Sequence, residues 1–236
     1  MRLAILGDIH GNLEALEAAL AEAARAGCEK IVHTGDLIGY GPRPNETIDL
    51  VRAKGITGVR GNFDENAAWG GEAPGVAGTA REVALAERAY RWTVDHLGYS
   101  QKNFLKDVPF SLEERIGQRV LAVFHASPTD LYTAIDERAP ESALLALARE
   151  TGAGVHVFGH THRPYHRVVE GRHFVNAGSV GCPGDGDPRA CVTILELDGA
   201  VRVEFRRVAY DVEKTARETE EAGLPVELAA RVRTGS

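Results

Sequence analysis

The chain has 236 residues, 44% of them hydrophobic and 26% charged, which is ordinary for a folded soluble protein of one large domain or two small ones. The net charge is −7, and no long run of Lys and Arg offsets it. A protein that binds DNA or RNA without sequence preference needs a patch of basic residues. The sequence therefore predicts no general nucleic-acid binding.

The cysteines and the N-terminus predict a cytoplasmic protein that does not associate with membranes. Cys28, Cys182 and Cys191 are too few for a disulfide framework and form no Cys-x-x-Cys pair. The apolar run at residues 3–6 is too short for a signal-peptide core or a membrane span.

The first sixty residues alternate between strand and helix. A continuous apolar run at 3–6 predicts a strand that is buried on both faces. Asn12 can cap the helix that follows, and Gly27 ends it. Further strands are predicted at 31–33 and 56–59, with a helix at 47–53 between them. This order predicts a parallel core sheet with crossover helices.

The middle of the chain differs in composition from the first sixty residues. Residues 66–78 are rich in Gly, Ala and Pro and predict a loop, whereas 79–97 predicts a helix. We interpret the segment at about 66–107 as a helical cap within a single domain spanning 1–236. A helix packed on the sheet fits the same pattern equally well.

The rest of the chain predicts more strands and a helical tail. A helix is expected at 141–150, and the strands are expected at 120–124, 155–158, 165–169, 172–175, 190–197 and 201–208. Gly171 and the Asp198-Gly199 pair are typical of hairpin turns. The tail at 211–233 predicts two short helices, split near 223–225, with no visible chemistry.

Five short motifs stand at the C-terminal ends of predicted strands, where ligand sites of open α/β sheets gather. They supply carboxylate, amide and imidazole donors and no thiolate, and the donor residues are Asp8, His10, Asp36, Asn62, His125, His160 and His162. Such a set suits Mn, Fe, Zn, Co or Ni. Each motif alone has a simpler interpretation as a turn, a helix cap or a core histidine, and the His160-Thr161-His162 motif alone is about equally consistent with either, but all five in this order predict a metal site.

The combination resembles the calcineurin-like metallophosphoesterase superfamily, and in particular its small bacterial and archaeal phosphodiesterase-like branch. The motifs that carry the resemblance are Asp8-Ile9-His10, Gly35-Asp36, Gly61-Asn62-Phe63-Asp64, His125 and Gly159-His160-Thr161-His162. They span residues 8–162, and the stretch at 176–181 is also shared with that branch.

The resemblance implies an α/β fold, a four-layer αββα sandwich of two mixed β-sheets flanked by helices. It also implies two divalent ions, with manganese first among the candidates. Asp8, His10 and His162 would hold one ion, Asn62, His125 and His160 the other, and Asp36 would bridge them. A hydroxide bridging the ions would attack phosphorus in line, so Asp36, Asn62 and His160 are the predicted catalytic residues.

One position departs from the family pattern, because Phe63 stands where a histidine is usual. That histidine is thought to protonate the leaving group or to steady the transition state, and Asp64 would orient it. Its loss should hurt most with poor leaving groups, so the sequence predicts a preference for phosphodiesters or phosphoanhydrides. Asn62 and Arg189 are the predicted substrate contacts.

Other functions stay open at this point. A phosphomonoesterase or protein phosphatase uses the same ligands, and Phe63 would also suit a metal-binding scaffold with weak or lost catalysis. A DNA nuclease would need a basic groove that the composition does not supply. The expected partner is a small phosphoester, and the C-terminal hairpin strands could pair between subunits in a homo-oligomer.

Overall fold

Two five-stranded sheets form the centre of the fold in the computed structural model, which describes residues 1–75 and 79–236. The first sheet has the order β10-β9-β1-β2-β3 and the second has the order β4-β5-β6-β8-β7. The strands are β1 Arg2–Leu6, β2 Lys30–His33, β3 Thr57–Gly58, β4 Ser111–Ile116, β5 Arg119–Phe124, β6 Val155–Phe158, β7 Tyr165–Val169, β8 Arg172–Asn176, β9 Ala190–Glu196 and β10 Arg202–Val208.

Each sheet combines three neighbouring parallel strands with two strands that are joined by antiparallel pairing. In the first sheet β1, β2 and β3 run parallel, as the alternation of the first sixty residues predicts, and β9 and β10 add antiparallel strands. In the second sheet β5, β6 and β8 run parallel, and β4 and β7 are the antiparallel edges. The parallel strands therefore present their carboxyl ends together, where the ligand motifs follow.

Helices cover the outer faces of both sheets. They are α1 Leu13–Arg25, α2 Pro44–Ala53, α3 Asn62–Trp69, α4 Ala80–His96, α5 Tyr99–Asp107, α6 Glu141–Thr151, α7 Val212–Glu221 and α8 Val226–Thr234. Within the described ranges, no helix has the length and apolar character that crossing a bilayer requires.

Side-chain alternation along the strands explains the layers. On β1, Leu3 and Ile5 point into a core shared with Val123 and Val157 of the second sheet. Its alternate residues, Ala4 and Leu6, join a second core with the helices of the first sheet. A third core packs the outer face of the second sheet against α6. The predicted four-layer αββα sandwich is confirmed.

Three elements were not predicted. The prediction of a loop at 66–78 is wrong for residues 66–69, because they form the end of α3. Residues 76–78 of that predicted loop lie outside the described residues. Strand β4 and helix α5 were also missed, although the alternating burial of β4 is typical of an edge strand.

The segment interpreted as a cap carries α4 and α5. Tyr90 of α4 joins the core of the first sheet, and Ala89 packs against Leu224 and Leu228 next to α8. Glu82, in the first turn of α4, lines the cavity at the carboxyl ends of the strands. The segment thus packs on the body of the protein and also reaches the cavity, and its role as a cap stays a prediction.

Candidate metal centre

All seven predicted ligands follow directly on strand ends and converge at one edge of the sandwich. Asp8 and His10 follow β1, Asp36 follows β2, and Asn62 begins α3 just after β3. His125 follows β5 of the second sheet, and the last two predicted ligands, His160 and His162, follow β6. Both sheets contribute, which is why donors spread over 155 residues of sequence reach one place.

The backbone at most of these positions is left-handed. Among the residues that the structure describes, six residues other than Gly have a positive φ, and five are predicted ligands: Asp8, His10, Asp36, His160 and His162. Their φ angles lie between 44° and 69°, a region that costs free energy for side chains with a Cβ. Backbone strain gathered in this way is typical of functional sites.

Two glycines allow the loops to approach each other closely. A Cβ on Gly61 would lie 2.0 Å from Asp36 Oδ1, and a Cβ on Gly159 would lie 2.4 Å from Asp8 Oδ2. Any side chain at either position would therefore displace a predicted carboxylate ligand.

The first cluster contains Asp8, His10 and His162. The Nδ1 atom of His10 is 2.9 Å from the Ile38 carbonyl oxygen, and that of His162 is 2.6 Å from the Cys182 carbonyl oxygen. Since a carbonyl only accepts, both Nδ1 atoms carry the proton and both Nε2 atoms have a free lone pair. These two Nε2 atoms lie 3.0 Å apart, and Asp8 Oδ1 is 3.6 Å from that of His162.

The second cluster contains Asn62, His125 and His160. His125 donates from Nδ1 to the Thr34 carbonyl at 2.8 Å, and His160 donates from Nε2 to the Tyr132 carbonyl at 3.2 Å. The free lone pairs are therefore on His125 Nε2 and His160 Nδ1, which lie 3.1 Å apart. Asn62 Oδ1, another acceptor, is 2.8 Å from His125 Nε2.

Asp36 lies between the two clusters. Its Oδ2 atom is 3.7 Å from His10 Nε2 and 3.6 Å from His125 Nε2, while Oδ1 accepts a hydrogen bond from the Phe63 amide at 2.9 Å. One carboxylate oxygen thus faces a nitrogen of each cluster. Ligand atoms of Asp8, Asp36 and His125 also lie within 4.8 Å of one another.

The electrostatics of the buried carboxylates and neutral imidazoles favour a cation at this place. Burial lowers the pKa of His10 to about 3 and that of His125 and His160 to about 4, so their imidazoles are neutral. Burial raises the pKa of Asp36 to about 8, and burial with the Asp36 charge raises the pKa of Asp8. Divalent cations fit this set, because acceptors that face each other with no hydrogen between them share a cation well.

Hydrogen bonds from neighbouring residues hold the ligand loops. Asn176 donates from Nδ2 to the Gly159 carbonyl at 2.6 Å and to Thr161 Oγ1 at 3.0 Å, on the loop that carries the His-x-His pair. Ser179 donates to the Asp8 carbonyl at 2.7 Å. The amide of His160 donates to Asp8 Oδ2 at 3.0 Å, which ties the β6 loop to the β1 loop.

Asp64 holds the start of α3 rather than a side chain in the cavity. Its carboxylate accepts from the amides of Leu37 at 3.0 Å, Ile38 at 3.4 Å and Gly61 at 3.0 Å. Burial and the Asp36 charge raise its pKa to about 7. Asp64 therefore joins the β2 loop to the N-terminus of α3, where Asn62 is placed.

A cavity of about 280 Å³ opens onto the two clusters. Its lining residues are Asp36, Tyr40, Asn62, Phe63, Glu82, Ala134, His160, Thr161, His162 and Arg231. Phe63 is buried and packs edge-on against the His10 ring, with centroids 5.3 Å apart. The site thus presents an aromatic face where the family pattern has a histidine.

The predicted substrate contact Arg189 is elsewhere. Its guanidinium pairs with Asp187 at 2.6 Å on an exposed loop and does not line the cavity. The arginine that does line it is Arg231 of α8, which the sequence analysis missed. Arg231 stands in no motif, and only the packing of the C-terminal helices brings it to the strand ends.

Comparison with known proteins agrees with this architecture. Residues 1–200 match the family model described as the calcineurin-like phosphoesterase superfamily domain. The metallophosphoesterase from Sphaerobacter thermophilus is 32% identical, with a TM-score of 0.80 over 100% of this chain and 99% of that chain.

Two archaeal proteins are similar over nearly their whole length. Protein MJ0912 of Methanocaldococcus jannaschii is 28% identical over 99% of this chain and 98% of its own length. The fold of PH1004 from Pyrococcus horikoshii OT3 matches with a TM-score of 0.85 at 23% identity, over 100% of this chain and 98% of that chain. With the family model matched over 200 of 236 residues, the chain belongs to the calcineurin-like phosphoesterase superfamily.

Proposed function

We propose that this protein hydrolyses phosphodiester or phosphoanhydride bonds with two divalent metal ions, manganese being the first candidate. The observation that carries the proposal is the position of Asp36 Oδ2, 3.7 Å from His10 Nε2 and 3.6 Å from His125 Nε2. A carboxylate placed between two clusters of free lone pairs suits a bridging ligand.

The ligand roles follow from the two clusters. Asp8, His10 and His162 would hold one ion, Asn62, His125 and His160 would hold the other, and Asp36 would serve both. Bound there, two divalent ions would lower the pKa of water towards neutrality and neutralise negative charge on phosphoryl oxygens. Asp36, Asn62 and His160 also line the cavity and so would face the substrate.

The choice of phosphodiesters or phosphoanhydrides over alkyl monoesters depends on Phe63. A phenyl ring has no proton to give, and Asp64 is occupied by three backbone amides. General acid assistance is worth about 10²–10⁴-fold, so its absence disfavours leaving groups that need a proton. Phenolate and phosphate leaving groups depart as stable anions, so the hydrolysis of aryl esters and phosphoanhydrides should be slowed least.

The test is hydrolysis of bis-p-nitrophenyl phosphate by metal-stripped protein with Mn²⁺ added back. Turnover should depend on metal and should fall by about 10²-fold or more in Asn62→Ala, which removes one ligand of the second ion. Asn103→Ala on α5, outside the cavity lining, is the matched control and should retain wild-type activity.

Two outcomes would overturn the proposal. A faster reaction with an alkyl phosphomonoester than with the aryl diester would contradict the substrate class and favour the monoesterase alternative. Bound metal without turnover for Mn, Fe, Co, Ni or Zn would favour a metal-binding scaffold and would make Phe63 the leading explanation. A cytoplasmic location and a homo-oligomeric state stay predictions from the sequence.

A further inference from the structure

The cavity has one wall that the metal-ligand motifs do not supply. Arg231 lines it from α8, beyond residue 200 where the family match ends. It is the only Lys or Arg among the lining residues of the described structure. A phosphoester brings negative charge into this cavity, so the one positively charged side chain in its lining is a candidate to bind that charge.

Tyr40 places the Arg231 guanidinium one ring away from the first cluster. The Cζ atom of Arg231 lies over the Tyr40 ring, 5.4 Å from its centroid. The Tyr40 ring in turn lies 4.6 Å from the His10 ring and 5.0 Å from the Phe63 ring. The Tyr40 ring thus lies between the Arg231 guanidinium and the His10 ring, and it also lies 6.5 Å from the His162 ring.

The Arg231 guanidinium lacks an anionic partner in the described part of the chain. Its Nε atom is buried with no hydrogen-bond partner. No carboxylate oxygen of the described residues lies within 4.0 Å of its guanidinium nitrogens, the distance that defines an ion pair. Burying a charge without a partner is costly, whereas Arg43 pairs with Glu218 and Arg233 pairs with Glu213 and Glu220. The Glu82 charge acts on Arg231 across the same cavity, but Glu82 is exposed, is bonded to Thr79 and makes no ion pair with Arg231 within 4.0 Å.

Contacts on both sides of Arg231 fix the helix that carries it. Before α8, the Trp92 indole donates to the Ala222 carbonyl at 2.8 Å, and within α8 Leu228 packs against Ala89 of α4. After α8, the Gly186 amide donates to the Gly235 carbonyl at 2.8 Å. The guanidinium is therefore held at the cavity by the fold rather than by a partner of its own.

We propose that Arg231 binds the phosphate group of the substrate, donating its planar N–H groups to phosphoryl oxygens from the wall of the cavity that Tyr40 and α8 form. This inference rests on the proposed phosphoesterase function and assigns it a substrate-binding residue. Arginine matches phosphate geometry with two parallel hydrogen bonds, and the aromatic face of Tyr40 supports the stacked guanidinium.

The same assignment sharpens the substrate class. An arginine stays protonated, so it can stabilise charge but cannot give a proton to a leaving group. Phe63, which packs against Tyr40, cannot give one either. Since neither Arg231 nor Phe63 can protonate a leaving group, the two residues favour phosphoesters whose leaving group is stable as an anion.

The experiment compares Arg231→Met and Arg231→Lys with Arg217→Met, an exposed arginine on the neighbouring α7. Two quantities are measured on metal-loaded protein: the affinity for inorganic phosphate by calorimetry, and kcat/KM for bis-p-nitrophenyl phosphate. Metal content is measured alongside. Loss of one fixed donor to phosphoryl oxygens costs about 10²–10³-fold in catalysis, and we expect kcat/KM to fall by that factor in Arg231→Met.

Phosphate affinity should fall at least about tenfold in Arg231→Met, and Arg231→Lys should recover part of both losses because it keeps the charge without the planar fork. Arg217→Met should match the wild type. If Arg231→Met matches Arg217→Met in both quantities, the proposal is overturned. It is also overturned if the loss follows a loss of bound metal, since the residue would then support the centre rather than the substrate.

The two proposals can fail separately. If the wild type turns over no phosphoester with any metal, the proposed function fails, but phosphate affinity still tests Arg231. Weaker phosphate binding in Arg231→Met alone would then support an anion site at this wall. Equal binding in all variants would reject it.

Discussion

The two ligand clusters of the proposed centre differ in how their members are held. In the first cluster Asp8, His10 and His162 are 0%, 1% and 8% exposed, and both histidines donate to buried parts of the backbone. In the second, His160 is more exposed and donates at 3.2 Å to the carbonyl of Tyr132, a residue that is 48% exposed. The first cluster is enclosed by the fold, whereas the second depends partly on a surface loop.

This difference suggests a division of work. An enclosed cluster loses little freedom when it binds an ion, so it should hold its ion tightly. A cluster with an exposed member leaves room at the cavity for a substrate to approach. The predictions below test this contrast between the clusters, beginning with the largest expected effect.

Replacing Asp36, which faces both clusters, should weaken metal binding at both and so abolish the difference between them. Asp36→Asn removes the negative charge between the clusters but keeps an oxygen that can accept from the Phe63 amide. We expect bound metal to fall from two ions to one or fewer per chain. Activity should fall by about 10³-fold or more, which corresponds to about 4 kcal/mol because each 1.4 kcal/mol is a factor of ten.

Metal analysis and bis-p-nitrophenyl phosphate kinetics measure both effects, with Asp95→Asn on α4 as the exposed control. Two tightly bound ions in Asp36→Asn would rule out a bridging role for Asp36.

Weakening the loop that serves both clusters should lower both affinities together. Asn176→Asp keeps the size of the side chain but cannot donate to the Gly159 carbonyl, which lies at 2.6 Å. Loss of such a supporting contact typically costs about 10–100-fold in metal affinity, and we expect that range for both ions. Titration of metal-stripped protein with Zn²⁺ by calorimetry measures it.

A loss confined to one ion would show that the hydrogen bonds of Asn176 position His160 or His162 rather than the loop that carries both. Unchanged affinities would mean that Asn176 does not support the centre.

Stepwise removal of metal should separate the clusters. With increasing dipicolinate, we expect the ion of the second cluster to leave first, at a dissociation constant about tenfold higher, which corresponds to about 1.4 kcal/mol. Activity should vanish with the first ion released. Release of both ions in one step would mean that the difference in exposure has no effect on affinity.

The smallest effect is expected from restoring the histidine of the family pattern. Phe63→His places an imidazole beside His10, but Asp64 is already engaged by three backbone amides and cannot orient it. We therefore expect the rate with alkyl leaving groups to rise by less than about tenfold, well below the 10²–10⁴ of full general acid catalysis. A larger gain would show that Asp64 can reorganise.

The loops that carry the predicted ligands were predictable because each one places donor residues within a few positions of a strand end, and all but the His125 loop also contain a glycine. The parallel strands β1, β2 and β3 and the hairpin turns at Gly171 and Gly199 were predicted for the same local reason, and the structure confirms them. Long-range features gave no such signal. Arg231 reaches the cavity only because α8 packs on α4, and no pattern within the tail indicates that contact.

Two local elements, α3 and β4, were missed for a different reason. Asn62 and Asp64 are favourable in turns as well as at helix starts, so the sequence did not distinguish a turn from the first turn of α3. The burial of β4 alternates as in an edge strand, but its charged residues Glu113, Glu114 and Arg115 are consecutive, so the sequence does not show that alternation.

The left-handed backbone at five predicted ligands affects which substitutions the protein can accept during evolution. Each of these residues costs roughly 1–2 kcal/mol relative to a relaxed conformation, and glycine at the same position would not. Replacing one of these predicted ligands with glycine would therefore relieve the backbone strain in the metal-free protein. Selection for stability alone would erode this centre, and only selection for bound metal would keep it.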